Sequence, residues 1–265
     1  HAAKKLVWSE IVVEGSGEKT LALPPLPATT NFSRDIAVLA FPARSTLTNQ
    51  IANLELKAGR RYAEAPSANA LADLLAADAT PATATNAACR LDEVQVLTDR
   101  LSPEGRLTWP VPAGRWRVVR FGYTLLGSRT KCTSPGSEGY EIDFFSRAAF
   151  DEHFAHTAQP LIEDAKATGA RALKYFHVDS FESGNPSWSE RFAEEFRARR
   201  GYDLLRWMPV LAGQAIESPE ATHRFLWDIR RTIADLFAAN YYGRLGELAH
   251  QAGIGIHPES SVPFW

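Results

Sequence analysis

Two short apolar runs in this 265-residue chain end on the same pattern. His177-Val178-Asp179 and His257-Pro258-Glu259 each set an imidazole and a carboxylate two residues apart. On a strand, side chains alternate between faces, so each pair points to one side. Glu182 follows Asp179 by three residues, close enough for both to face one small ligand. Paired carboxylates are what cleavage of a glycosidic bond requires: one protonated, to donate to the leaving oxygen, and one ionised, to activate water or attack the sugar carbon. Mutual repulsion between Asp179 and Glu182 favours keeping one of them protonated, which suits the acid role.

Blander readings stand beside this one. His177 and His257 suit buried imidazoles bonded to backbone carbonyls as well as ligand contacts. Trp188, after Gly184-Asn185-Pro186-Ser187, either walls a sugar site or starts the next helix. Two histidines and three carboxylates also resemble a metal site, and a divalent-metal hydrolase with His177, Asp179, His257 and Glu259 as ligands is a rival function. No His-x-His or His-Glu-x-x-His spacing supports zinc. A hard cation such as calcium, held by carboxylates and sugar hydroxyls, fits the oxygen donors better. A third reading is a non-catalytic carbohydrate-binding protein in which Trp188 and other aromatics stack on sugar. Cys89 and Cys132 are the two cysteines, read as semi-buried thiols rather than a disulfide framework.

The elements that must position these residues fall into two parts. Up to residue 128, short apolar or alternating runs are broken by Pro and Gly: Leu6 to Val13, Thr20 to Leu23, Ile36 to Phe41, Ile51 to Leu56, Val94 to Leu97 and Trp116 to Leu126. This spacing predicts an antiparallel, sandwich-like β domain over 1–128. Ala65 to Ala88, rich in alanine, reads as a surface loop with one short helix. Residues 129–145 form a linker or active-site loop of Ser, Thr, Lys, Pro and Gly. Over 146–265 the period changes. Phe150, Phe154, Ala158, Leu161 and Ala165 predict a helix ended by Gly169, and Ala172 to Val178 a strand. A second helix runs from about Ser189 to Gly201. Ser218 caps a third, with Pro219 at its first position, and Gly243 inside it predicts a kink or a division. Ile254 to Glu259 is another strand. Helices between strands that are apolar on both faces are the pattern of a parallel sheet. Without a Gly-x-Gly-x-x-Gly turn, that pattern favours part of a (β/α)8-type barrel, so the fold class is α/β plus β.

With 29 basic and 31 acidic residues the chain has no cationic excess for a phosphate backbone, so nucleic acid is not an expected partner. No apolar run approaches the roughly 20 residues of a membrane-spanning helix, so no membrane is expected either. Trp265 closes a segment that has just left a strand, with no helix to follow, so the chain reads as part of a longer protein.

At these residues the sequence resembles glycoside hydrolase family 106, the α-L-rhamnosidases. The likeness rests on Pro112-Ala113-Gly114-Arg115-Trp116, Arg120-Phe121-Gly122-Tyr123-Thr124, Gly139-Tyr140-Glu141-Ile142-Asp143 and His177-Val178-Asp179-Ser180-Phe181-Glu182. It continues through Arg200-Gly201-Tyr202-Asp203-Leu204, Pro209-Val210-Leu211-Ala212-Gly213 and Arg224-Phe225-Leu226-Trp227-Asp228 to His257-Pro258-Glu259-Ser260. The resemblance implies an α/β barrel joined to β-sandwich domains and inverting, exo-acting cleavage of terminal α-L-rhamnose from saccharides or glycosides. It also implies calcium assisting sugar binding and a periplasmic or secreted location. It casts Glu182 as general acid with Asp179 its neighbour, and Glu259 as base or sugar ligand, the family's water-activating glutamate otherwise being expected beyond Trp265. It further places Glu141 and Asp143, with His177, His257 and Trp188, at the substrate. The family's Gly-Leu-Glu-x-Asp-Lys run reads Gly139-Tyr140-Glu141-Ile142-Asp143-Phe144 here, so no lysine follows.

Overall fold

The computed structural model describes residues 1–44, 51–60, 72, 88–131, 133–179 and 181–259. Nearly all of the Ala65 to Ala88 segment read as a surface loop lies outside the described residues, as do Cys132 and Ser260.

The N-terminal half is built on strands β1 (Lys4–Glu14), β2 (Gly17–Ala22), β3 (Ser33–Pro42), β4 (Gln95–Val96), β5 (Arg106–Val111) and β6 (Arg115–Leu125). β1, β6, β3 and β4 make one antiparallel sheet in that order, with β6 paired along its length to both β1 and β3, and β2 pairs with β5 in a second sheet. Val38, Ala40, Trp116 and Val118 on one face of the larger sheet meet Leu107, Trp109 and Val111 of β5. On the opposite face Ala37, Leu39, Phe41, Val119 and Phe121 meet helical residues, among them Phe192, Phe196, Phe225 and Ile229. That double burial explains why Ile36 to Phe41 is apolar without alternation: a strand covered on both sides has no solvent face to mark. The sheet is therefore the middle layer, with the β2–β5 pair on one side and helices on the other.

One strand expectation needs correction. Ile51 to Leu56 is not a strand; it enters a one-turn helix, α1 (Leu54–Lys57), with Ile51 and Leu54 buried against the sheet's helical side. Burial recruited these side chains without needing β geometry. A strand outside the predicted runs, Arg106–Val111, forms although it contains Pro110. Its side chains alternate strictly between exposed and buried, and β5 pairs with β2, Pro110 lying opposite Glu18. An edge position tolerates proline's missing donor.

The second half begins with α2 (Arg147–His156), capped by the Ser146 hydroxyl, which accepts from the Ala149 amide at 3.2 Å, and α3 (Ala158–Ala167). The spacing of Phe150 to Ala165 predicts one helix, but the chain breaks at Thr157. Pro160 has no amide to donate into the preceding turn, so the helix cannot run through. The break turns Leu161 out to solvent at 58% exposure and buries Ile162 instead. Then come β7 (Tyr175–Val178), α4 (Phe192–Arg200), a 3-10 segment (Leu205–Ala212), α5 (Pro219–Phe237), a π turn (Ala238–Tyr242), α6 (Gly243–Gln251) and β8 (Gly255–Pro258). Ser218 caps α5 by accepting from Ala221, with Pro219 at the first position as expected. The division expected at Gly243 takes the form of the π turn: a Cβ at Gly243 would stand 2.7 Å from the Ala238 carbonyl oxygen. β7 and β8 pair in parallel, His177 in register with His257.

Gly122 is the tightest point of the sheet. A Cβ there would lie 2.2 Å from Leu26 Cδ1 and 2.4 Å from the Arg34 carbonyl oxygen. It pairs with Asp35 at the register shift in β3. Gly122→Ala must push backbone apart in a sheet packed on both faces, an overpacking cost of about 1–3 kcal/mol or more. Chemical denaturation should show that loss; wild-type stability in the variant would mean the β3–β6 seam is looser than described.

Candidate active site

The two strands that end in His-x-acid lie side by side. Phe176 and Val178 of β7 and Ile256 of β8 face Phe154, Leu245, Ala249 and the other apolar side chains of α2, α3 and α6. Alternation then places Tyr175, His177 and Asp179, and with them Gly255, His257 and Glu259, on the opposite, open face. The histidines confirm the assignment: their Nδ1 atoms are 3.2 Å apart and their rings 5.4 Å between centroids. At that separation one Nδ1 donates and the other accepts, so in the neutral pair one exposed Nε2 is an acceptor and the other a donor. The Glu259 amide donates to the Val178 carbonyl at 2.7 Å, which carries the parallel register to the strand ends where Asp179 and Glu259 emerge. Tyr175 lies 66% exposed over Gly255, where a Cβ would be 2.5 Å from its ring. The histidines are thus exposed side chains of a sheet face, not buried imidazoles.

Glu182 follows on the segment after β7. Its carboxylate accepts from Lys131 Nζ at 2.7 Å. Lys131 belongs to the excursion between Ser128 and Glu141, whose base is closed by the Glu141 amide on the Ser128 carbonyl and the Thr130 amide on the Gly139 carbonyl, both at 3.0 Å.

A cavity of about 430 Å³ runs beside β7. It takes Phe176 and Val178 from one face of the strand and His177 and Asp179 from the other, so it follows the edge of β7 opposite β8. Glu141, His153 and Tyr241 add polar groups to walls that include Phe144, Phe150 and Phe154. Burial pulls the His153 imidazole below its usual range, with Glu141 partly offsetting. Burial also pushes the Tyr241 phenol up to about 12. Asp179 and Glu141 are at this cavity; Glu182, His257 and Glu259 are not among its walls.

Two sequence candidates lie elsewhere. Trp188 is 3% exposed and packs on Phe192 with ring centroids 4.9 Å apart, so of its two readings it takes the core one, leading into α4. Asp143 is buried too. Its carboxylate accepts from Lys4 Nζ at 3.0 Å and Ser189 Oγ at 3.0 Å, and from the Phe145 amide at 3.2 Å. Burial pushes this carboxyl above the ordinary range, and Lys4, Ser189 and the Phe145 amide pull it back. Asp143 supports the site from beneath: it joins the start of β1 to the Glu141 and Ser189 segments. Lys4, Lys131, His153 and Tyr241 have no mark in the sequence that would have selected them. Lys131 alone fell in a segment composed like an active-site loop.

Among the described residues no three His, Cys, Asp or Glu side chains stand close enough to hold a metal ion. His177, Asp179, His257 and Glu259 therefore do not gather into a metal centre of their own side chains. Among the described residues, too, no helix is long and apolar enough to cross a membrane.

A sequence model of the glycoside hydrolase 106 family, described as alpha-L-rhamnosidase, matches residues 1–263. A protein of Formosa agariphila that carries the provisional name beta-glucuronidase is 35% identical over 267 residues, covering 100% of this chain and 22% of its own length. The structure of a rhamnosidase from Novosphingobium sp. PP1Y superposes with a TM-score of 0.79 at 23% identity, over 97% of this chain and 37% of that one. The fold is thus similar to that of a rhamnosidase, and the chain spans well under half the length of either protein.

The Lys4–Asp143 pair generates a stability prediction. Lys4→Met strands a buried carboxylate and should cost about 3–5 kcal/mol. Adding Asp143→Asn to it should recover part of that loss, because the unpaired charge is gone. Denaturant unfolding of the three forms checks this; a Lys4→Met protein as stable as wild type would show that the pair holds nothing.

Proposed function

From the premise that this chain belongs to glycoside hydrolase family 106, we propose that it is the segment of an inverting, exo-acting α-L-rhamnosidase that carries the β-rich accessory region and the first part of the catalytic barrel. The observation that carries this reading is the open face of β7 and β8, where His177, Asp179, His257 and Glu259 stand at the carboxyl ends of parallel strands. In an α/β barrel that end is the floor of the active site. Among the described residues β7 pairs with β8, and its other edge borders the cavity, an arrangement that leaves place for further strands of a barrel.

Glu182 is the proposed general acid, donating to the glycosidic oxygen as the bond to the anomeric carbon breaks. Asp179, on the strand end just before it, orients the sugar. Glu259 acts as base toward water or as sugar ligand, and Glu141 contacts substrate from the cavity side. The two exposed imidazole Nε2 atoms, one donor and one acceptor, suit a pair of sugar hydroxyls. The Formosa relative's name raises a uronic acid as substrate. A glucuronide carries a carboxylate that needs a facing cation, and the ammonium beside the proposed acid, Lys131, is already engaged by Glu182. That favours a neutral deoxysugar. A calcium ion, if bound in the whole protein, would need further oxygen donors besides these carboxylates.

The full-length protein should hydrolyse aryl α-L-rhamnoside and leave aryl β-glucuronide intact. Glu182→Gln should lower the rate by about 10²- to 10⁴-fold, most with poor leaving groups, as expected for loss of a general acid. Undiminished turnover in the variant removes Glu182 from the mechanism. Sugar binding without hydrolysis by the wild-type protein replaces the enzyme with a carbohydrate-binding protein.

A further inference from the structure

The contact between Lys131 and Glu182 bears on how the proposed acid is controlled, and it rests on the role given to Glu182 above. The ammonium lies 2.7 Å from the carboxylate. Its place is set by backbone: the Ser128–Glu141 and Thr130–Gly139 hydrogen bonds close the base of the excursion, and Lys131 is the first residue beyond them. The base is in turn seated against the acid's own segment, since a Cβ on Gly184 would lie 3.2 Å from Ser128 Oγ. The other charged or titratable groups on these elements are Arg129, whose guanidinium sits over the Tyr140 ring at 4.8 Å, Glu138, which accepts from the Gly136 amide, Glu141, Asp179 and His177. Lys131 is thus a cation held at ion-pair distance from Glu182.

We propose that Lys131 is a positioning residue for Glu182: it fixes the carboxylate's orientation toward the strand-end face and sets the pH at which that carboxyl gives up its proton. An opposite charge at this distance favours the ionised form, which runs against the need of a general acid to hold a proton. Lys131 thereby holds the upper pH limit of catalysis down, and this contact ties the chain between Ser128 and Glu141 to the proton donor. Both side chains are more than half exposed, so the pull is that of a solvated pair.

The test uses the full-length enzyme with Lys131→Met and Lys131→Arg, and kcat/KM on aryl α-L-rhamnoside as a function of pH. In Lys131→Met the alkaline limb should move up by roughly half to one pH unit, the lower part of the range for a nearby opposite charge. Its kcat should fall at the pH optimum, and Lys131→Arg should restore the wild-type limb. An alkaline limb that does not move overturns the proposal. A second readout needs no turnover: carbodiimide labelling of Glu182, followed by peptide mass mapping across pH, should fall off at higher pH in Lys131→Met than in wild type. Coincident labelling curves overturn the inference even if the protein cleaves no rhamnoside. Absence of cleavage by wild type, with shifted labelling curves, would instead sink the proposed activity and leave the pairing standing.

Discussion

The buried ion pair of Lys4 and Asp143 is the constraint on which the arrangement of the candidate site depends. Lys4 opens β1, which is locked along its length to β6. Asp143 sits at the end of the excursion that carries Lys131 and Glu141, and Ser189 joins the pair from the far end of the segment that carries Glu182. Backbone bonds run the same way: Ala3 donates to Glu141, Asp143 to His1 and Ser187 to Lys4. Three stretches remote in sequence are thus fastened at one dry point. A charge pair removed from water is costly unless its remaining donors and acceptors are met, and here Ala2, Ser189 and Phe145 meet them.

From that point the site is assembled in layers. The four-stranded sheet gives a rigid base because both its faces are covered. Arg117, buried on its helical side, extends the tie: it pairs with Glu10 at 2.6 Å and donates to the Ala212 carbonyl at 2.8 Å, joining the sheet to the 3-10 segment. The aromatic residues Phe144, Phe181 and Tyr241, backed by Phe237, then set the far wall. Phe144 and Phe181 pack edge to face at 5.0 Å, and Tyr241 reaches Phe144 at 5.0 Å because the π turn adds a residue to the helix there. Asn240, in the same turn, donates to the Phe145 carbonyl at 2.7 Å. A π turn is a costly irregularity in a helix, and here it lets one helix both pack on the sheet and wall the cavity.

The open face of β7 and β8 has the opposite character. Its side chains are exposed, and the parallel register sets His177 beside His257. That is consistent with a surface completed by other parts of a longer protein, and the relatives, several times or more than twice the length of this chain, allow for it.

Much of this was legible in the sequence wherever a local rule acts alone. The Ser218-Pro219 start of α5, the break near Gly243, the strand at Trp116 to Leu125 and the two His-x-acid strand ends follow from capping, backbone freedom and alternation, each a matter of a few neighbouring residues. Family membership was legible as well, because the order of motifs survives where any one of them would not suffice. What the tertiary structure decided is which side chains meet. Trp188 and Asp143 look as available in sequence as His177 and Glu182, yet the first two are buried by contact with Phe192 and Lys4. Lys131 meets Glu182, 51 residues away, because the base of its excursion places it there. Ile51 to Leu56 was misread, and Arg106 to Val111 left out of the strands, for the same reason: burial and edge position are properties of the assembled sheet. Local patterns fix the direction a side chain leaves the backbone; long-range packing fixes what it finds there.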